Sequence, residues 1–155
     1  MQKLFLTFFY SGLAPKAPGT FGTIAGALAA WAILLYFPVD TLFMGTILLT
    51  LVAVREINKY ESLSGTHDDK SIVIDEVAGI WLALVISSAI PMPYQFILCF
   101  IYFRLFDIWK PSIIGRIDRN VKGGWGVMGD DLLAGGLAGL CSAATFQLFV
   151  KLGLA

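Results

Sequence analysis

Apolar residues gather into five stretches along the chain, at 20–37, 42–54, 77–90, 94–106 and 132–150, with polar positions between them. The first and last, 18 and 19 residues long, approach the roughly 20 that a helix needs to cross the hydrocarbon layer. The middle three have 13 or 14 residues, about 20 Å of helix at ~1.5 Å per residue. Two readings follow. Either these helices run on into 55–63 and Asp75-Glu76, or the chain is a soluble all-helical bundle of unusually greasy helices. The membrane reading is favoured, because the soluble one must bury all five runs in only 155 residues.

The connections set a topology. Pro38-Val39-Asp40-Thr41 and Pro91-Met92-Pro93 predict tight turns, each joining two antiparallel helices. The other polar segments (the start to Gly19, then 55–76, then 104–131) fall on one side if all five runs cross. Ten of eleven Lys/Arg lie on that side, all but Lys151, and ten of eleven Asp/Glu, all but Asp40. The basic excess makes that side cytoplasmic, with the N-terminus inside and the C-terminus outside. The stretch from Lys3 to Tyr10 lacks a small-residue cleavage pattern, so it reads as a retained interfacial segment. The expectation is an all-α polytopic membrane bundle of about five apolar helices. It forms a single domain over 1–155 with a polar site at its cytoplasmic face.

Composition supports the class. The chain is 57% hydrophobic and 14% charged, against ~45–50% and ~25% for soluble domains. Eleven basic residues balance eleven acidic ones, so no net field attracts nucleic acid. Cys99 and Cys141 sit in apolar runs without metal-binding spacing and read as small buried residues.

The chemistry lies in the long polar segments. His67-Asp68-Asp69-Lys70 precedes Asp75-Glu76, which open an apolar helix where the macrodipole favours acids. Asp107 stands in the last turn of another, where the dipole disfavours it, with Arg104 and Lys110 each three residues away. Structural pairing and metal ligation are both open for it. The glycine-rich Gly123-Gly124-Trp125-Gly126-Val127-Met128-Gly129 reads as a turn, followed by Asp130-Asp131 at the start of the last helix. Acidic pairs at two helix starts and Asp107 at a helix end share one membrane boundary. Hard oxygen ligands of this kind suit Mg²⁺ or a similar ion that binds substrate phosphate. Lys16, Lys70, Arg104, Lys110, Arg116, Arg119 and Lys122 supply positive charge for that phosphate. The class these residues indicate is phosphate chemistry at a lipid surface.

Three strings go further: APKAPGTFGT at 14–23, SIVIDEVAGIW at 71–81, and FRLFDIWKP through GGWGVMGDDLLAG at 103–135. Together, in this order and helix context, they resemble the bacterial phosphatidylglycerophosphatase A family over about 11–139. Ala14 departs from a common serine, and His67-Asp68-Asp69 falls in a variable stretch. The resemblance implies a Mg²⁺-dependent, multi-pass phosphatase of the bacterial inner membrane with its site on the cytoplasmic side. It would convert phosphatidylglycerophosphate to phosphatidylglycerol and phosphate. The implied metal ligands are Asp75, Glu76, Asp107, Asp130 and Asp131. Asp75, Asp107, Lys110 and Asp131 would carry the reaction, and Lys16, Arg104, Arg119 and Lys122 would bind substrate. Water and an aspartate both remain open as nucleophile.

Rival readings are a divalent-cation transporter or channel, a headgroup transferase, and a structural subunit whose charges only anchor helix ends. A conduction path calls for acids in mid-span, and the marked runs contain none. Gly135-Gly136-Leu137-Ala138-Gly139 permits close helix packing, either within the chain or with a second copy.

Overall fold

The structure, a computed structural model, describes residues 1–66, 69–87, 93–111 and 113–153. His67, Asp68 and most of the predicted Pro91-Met92-Pro93 turn lie outside the described residues. Every regular element described is helical: α1 (Gln2–Leu6), a 3₁₀ turn (Ser11–Leu13), α2 (Pro18–Tyr36), α3 (Val39–Ser64), α4 (Ile74–Ile86), α5 (Pro93–Trp109), α6 (Ile113–Asn120) and α7 (Gly124–Lys151).

Local chemistry fixes the boundaries. Pro18 opens α2, where its missing N–H costs nothing. Pro38 forces Phe37 into extended backbone (φ −131°, ψ 151°) and so ends the helix at Tyr36. α3 starts directly after Pro38 and stops at Gly65, which takes the left-handed cap (φ 68°). It therefore runs well beyond the apolar run at 42–54, through Arg55, Glu56, Lys59 and Glu61.

The glycine-rich segment departs from expectation. It is helical from Gly124 onward, and only Gly123 (φ 74°) lies outside the helix. Its glycines serve close packing: a Cβ on Gly124 would enter the backbone of Val54, and one on Gly126 would meet the carbonyl of Val121. The N–H of Gly124 donates to Asn58 Oδ1 at 2.7 Å, so α3 caps α7 from outside. As a result Asp130 and Asp131 lie in the second turn of α7, not at its start, and both are buried.

α4 is the axis of the bundle, packed by α7, α5, α2 and α3. Ile74, Val77, Ala78, Ile80, Ala83 and Leu84 are wholly buried. Trp81 donates its indole N–H to the carbonyl of Gly26 in α2 at 2.8 Å. Gly135 lies against the carbonyl of Gly79, and Gly139 against Ala83 and Ile86. The small-residue stripe of the last helix thus packs on α4 of the same chain.

Among the described residues, two helices are long and apolar enough to cross a membrane, α2 and α7. α4 has 13 residues, α5 has 17, and α3 devotes its last third to charged positions. Large apolar side chains nonetheless stand exposed on α2, α3, α5 and α7, among them Leu28, Leu48, Ile101 and Leu140.

Candidate active site

The polar residues converge at one end of the bundle. The N-terminus of α2, the first turn of α4, the last turn of α5 and the second turn of α7 enclose a cavity of about 840 Å³ there. Asp75, Glu76, Asp107, Asp130 and Asp131 all line it.

Helix geometry explains the convergence. Asp75 and Gly79 are one turn apart on α4, as Asp131 and Gly135 are on α7. The glycines let the two backbones touch, so the side chains one turn earlier meet. One oxygen each from Asp75, Glu76 and Asp131 lie within 4.8 Å of one another. Asp107 approaches Asp131 from α5. Burial of several carboxylates this close is unfavourable unless protons or a cation offset their repulsion.

The cations are arranged around that cluster. Arg104 Nη1 donates to Asp107 Oδ2 at 2.5 Å, across one turn of α5. Lys110 reaches from the end of α5 to Asp130 Oδ2 at 2.7 Å. Lys110 has a positive φ of 45°, which turns the chain off α5 just there. Gly19 belongs to the site because a Cβ there would collide with the Glu76 carboxylate. Glu76 Oε2 and Arg104 Nε are among the buried side-chain atoms that have no hydrogen-bond partner among the described residues. An acceptor wanting a cation and a donor wanting an anion thus share one cavity.

Of the basic residues singled out in the sequence, Arg104, Lys110 and Lys70 line the cavity. Lys16, Arg119 and Lys122 are exposed and are not brought into its lining. Asp69 is engaged elsewhere, accepting from the Tyr60 hydroxyl at 2.6 Å and from the Ser71 N–H at 2.9 Å. The Tyr60 bond is the main reason its carboxyl is held below the ordinary aspartate value, with the Ser71 N–H adding to it. Sequence reasoning passed over Thr23, which is wholly buried, donates to the Gly19 carbonyl at 2.8 Å, and stands 3.5 Å from Arg104 Nη1. Its only signal was the i, i+4 spacing from Gly19.

Comparison with known proteins places the chain. The family model described as Phosphatidylglycerophosphatase A matches residues 4–146. The chain belongs to the phosphatidylglycerophosphatase A family. It is 38% identical over 129 residues to Phosphatidylglycerophosphatase A of Escherichia coli (strain K12), covering 82% of this chain and 73% of that protein. It is 39% identical over 128 residues to the protein of the same name from Haemophilus influenzae, covering 81% and 77%. A Bacteroides thetaiotaomicron protein, named provisionally as a phosphatidylinositol-3-phosphatase, is 37% identical over 134 residues, covering 83% of each. No solved structure matches. The three strings that carry the resemblance to the phosphatidylglycerophosphatase A family, at 14–23, 71–81 and 103–135, supply every residue of the cavity lining except Lys70.

Proposed function

We propose that this chain hydrolyses the terminal phosphate of phosphatidylglycerophosphate, releasing phosphatidylglycerol and inorganic phosphate, with Mg²⁺ as cofactor. The observation that carries the reading is the pair of opposite demands in one cavity: carboxylates converging on a cation-sized gap, and Arg104 and Lys110 facing the same space. A phosphate ester with a divalent cation answers both. Asp75, Glu76 and Asp131 would hold the ion, with Asp107 and Asp130 completing the acidic wall; oxygen donors alone fit Mg²⁺. The ion, when bound, supplies Lewis-acid polarisation of the phosphoryl oxygens and of water.

The chain's own residues do the rest. Arg104 and Lys110 bind the equatorial phosphoryl oxygens and hold the growing charge as the P–O bond breaks. Asp107 and Asp130 fix the directions of those two side chains. Lys70 closes the rim of the cavity and meets the outer face of the headgroup. In the net reaction, water supplies the oxygen that replaces the glycerol oxygen on phosphorus, and the proton it gives up passes by way of the acidic wall to the departing glycerol oxygen. Lys16, Arg119 and Lys122, exposed near that end, draw the anionic lipid surface toward the cavity rather than touching phosphate.

The setting is the bacterial inner membrane, crossed several times by α2, α3, α4, α5 and α7, with the cavity on the cytoplasmic side. α2, at 19 residues, spans about 28 Å, close to the ~30 Å hydrocarbon core. Exposed Trp109 and Trp125 stand at the cavity end, and exposed Tyr36 and Phe37 at the far end of α2. Aromatic side chains at both ends match the two interfaces. A cation channel fits less well: among the described residues, the buried charged groups, Asp130 and Asp131 with atoms of Glu76 and Arg104, gather at the cavity.

The test is phosphate release by the purified protein in vesicles, with Mg²⁺ or with EDTA. Phosphatidylglycerophosphate, phosphatidic acid and phosphatidylinositol 3-phosphate are compared as substrates. Mg²⁺-dependent release, fastest from phosphatidylglycerophosphate, supports the reading. Preference for the inositol lipid reassigns the substrate, and cation flux without phosphate release overturns the enzyme.

A further inference from the structure

A second hollow lies on the lipid-facing surface. It is a wholly apolar groove of about 230 Å³ between α2 and α5, lined by Ile24, Leu28 and Trp31 from one helix and Phe96, Ile97 and Phe100 from the other. The same two helices build the polar cavity, through Pro18 and Gly19 on α2 and Arg104 and Asp107 on α5. α2 begins at the cavity and α5 ends there, so both sets of groove residues step away from it in the same direction. Gly19 to Ile24 is about 7.5 Å along α2, and Arg104 to Phe100 about 6 Å along α5. The buried hydroxyl of Thr23, 3.5 Å from Arg104 Nη1, occupies the junction. Along both helices, the groove thus begins within two turns of the cavity lining.

Its far end is closed. Trp31 and Phe96 meet edge to face with ring centroids 4.8 Å apart, about 18 Å along α2 from Gly19. The rim residues Leu28 and Ile97 remain more than half exposed, so the groove is open to the bilayer along its length. A charged pocket and a dry apolar trough built by the same two helices fit one kind of molecule, whose phosphate and hydrocarbon are covalently linked.

We propose that the α2/α5 groove binds an acyl chain of the phospholipid whose phosphate occupies the cavity, and so sets the enzyme's discrimination by chain length. This rests on the function proposed above. The exposed face of α3, with Met44, Leu48 and Leu51, is equally apolar but does not continue into the cavity, so it meets only bulk lipid.

Two variants fill the groove from its exposed rim, Leu28→Trp and Ile97→Trp, with Leu51→Trp on α3 as control. Each is assayed in mixed micelles on phosphatidylglycerophosphates with long and with very short acyl chains. The ratio of kcat/KM for long over short chains should fall about tenfold in the groove variants, the order expected when a pocket loses apolar contacts. It should stay at the wild-type value in the control. An unchanged ratio in active groove variants overturns the groove and leaves the phosphatase reading intact. Absence of phosphate release from both lipids in the wild type overturns the phosphatase reading instead. A second measurement is independent of turnover: phosphatidylglycerophosphate bearing a diazirine in its acyl chain is photolysed with the wild-type protein. Label on 24–31 or 96–100, competed by unlabelled phosphatidylglycerophosphate and not by phosphatidylcholine, supports the assignment. Label spread equally over α3, or competed by both lipids, identifies ordinary surrounding lipid and overturns it.

Discussion

Gly135 of α7 rests on the peptide carbonyl of Gly79 of α4, so close that a Cβ on Gly135 would overlap it. One turn earlier on each helix stand Asp131 and Asp75. The contact is thus a spacer that sets the distance between two site carboxylates. Gly135→Ala should push the helices apart, costing about 1–3 kcal/mol by overpacking against backbone that cannot move aside. It should also cut activity by separating the carboxylates. Gly136 has open space around it, so Gly136→Ala should raise stability by about 0.5–1 kcal/mol through helix propensity. Thermal unfolding in detergent of both variants checks the pair. Equal effects at 135 and 136 would show that the contact does not govern the packing.

Removing the charge of a site carboxylate while keeping its shape isolates its electrostatic role. Asp75→Asn, Asp107→Asn and Asp131→Asn should each lower phosphate release by at least about 10²-fold, the scale for losing one aligned transition-state partner. Folding and membrane insertion should be retained. Asp107→Asn also loosens Arg104, its ion-pair partner, so its KM should rise as kcat falls. Full activity in Asp107→Asn would remove that residue from the site.

The carboxylate cluster predicts a stability effect that needs no substrate. Mutual repulsion among Asp75, Glu76 and Asp131 disfavours the metal-free fold, and a ligand that binds only the folded state stabilises it by mass action. Saturating Mg²⁺ at about 100 times its Kd should therefore add about 2.7 kcal/mol, seen as a rise in Tm that EDTA reverses. Asp131→Asn should shrink that rise. A Tm indifferent to Mg²⁺ in the wild type would mean that the cluster does not hold the ion.

Asp75, Glu76 and Asp107 were legible from sequence because their neighbours are: each sits at the edge of an apolar run, and the runs end where the helices do. The site's membership was therefore visible before its shape. Asp130 and Asp131 were placed at a helix start because four glycines in seven residues read as a turn. In the fold Gly124 and Gly126 are packing surfaces against Val54 and Val121, a tertiary use that overrides their low helix propensity. Lys16, Arg119 and Lys122 illustrate the converse. Nearness in the chain to acidic motifs did not carry them into the cavity: Lys16 precedes α2, Arg119 lies in the last turn of α6, Lys122 lies between α6 and α7, and all three side chains are exposed. Helix length was similarly underdetermined: charged residues at 55–63 continue α3, because wholly buried Ile57 and the Asn58 side chain, which accepts from the Gly124 N–H, hold that stretch against the bundle.

Lys110 and Asp130 form a pair whose members have unequal exposure, 33% and 8% of their side chains. Removing the lysine withdraws a hydrogen-bonded cation from the more buried carboxylate, so Lys110→Met should cost more stability than Asp130→Asn. The double variant should recover part of the loss, with a coupling of about 0.5–3 kcal/mol. A double-mutant cycle on Tm and on kcat/KM measures both consequences. Additive losses would show that the two side chains act separately.

The Tyr60–Asp69 hydrogen bond anchors the loop that presents Lys70, one residue on, to the cavity rim. Asp69 is held below its ordinary value of 3.8, chiefly by the Tyr60 hydroxyl. Its folded-state pKa being depressed, its contribution to stability is present above the unfolded value and is lost as pH falls through the folded one. Tyr60→Phe removes the main cause of that depression. The difference in Tm between wild type and Tyr60→Phe should accordingly be largest at neutral pH and close on acidification below pH 3.8. Because Asp69 is only partly buried, solvent screening keeps the effect small. The functional effect should be clearer: with the loop less firmly held, KM should rise while kcat stays near the wild-type value, since no atom of Tyr60 lines the cavity. Steady-state kinetics and unfolding curves across that pH range test both halves. A fall in kcat with KM unchanged would place Tyr60's influence on the chemical step instead of on Lys70.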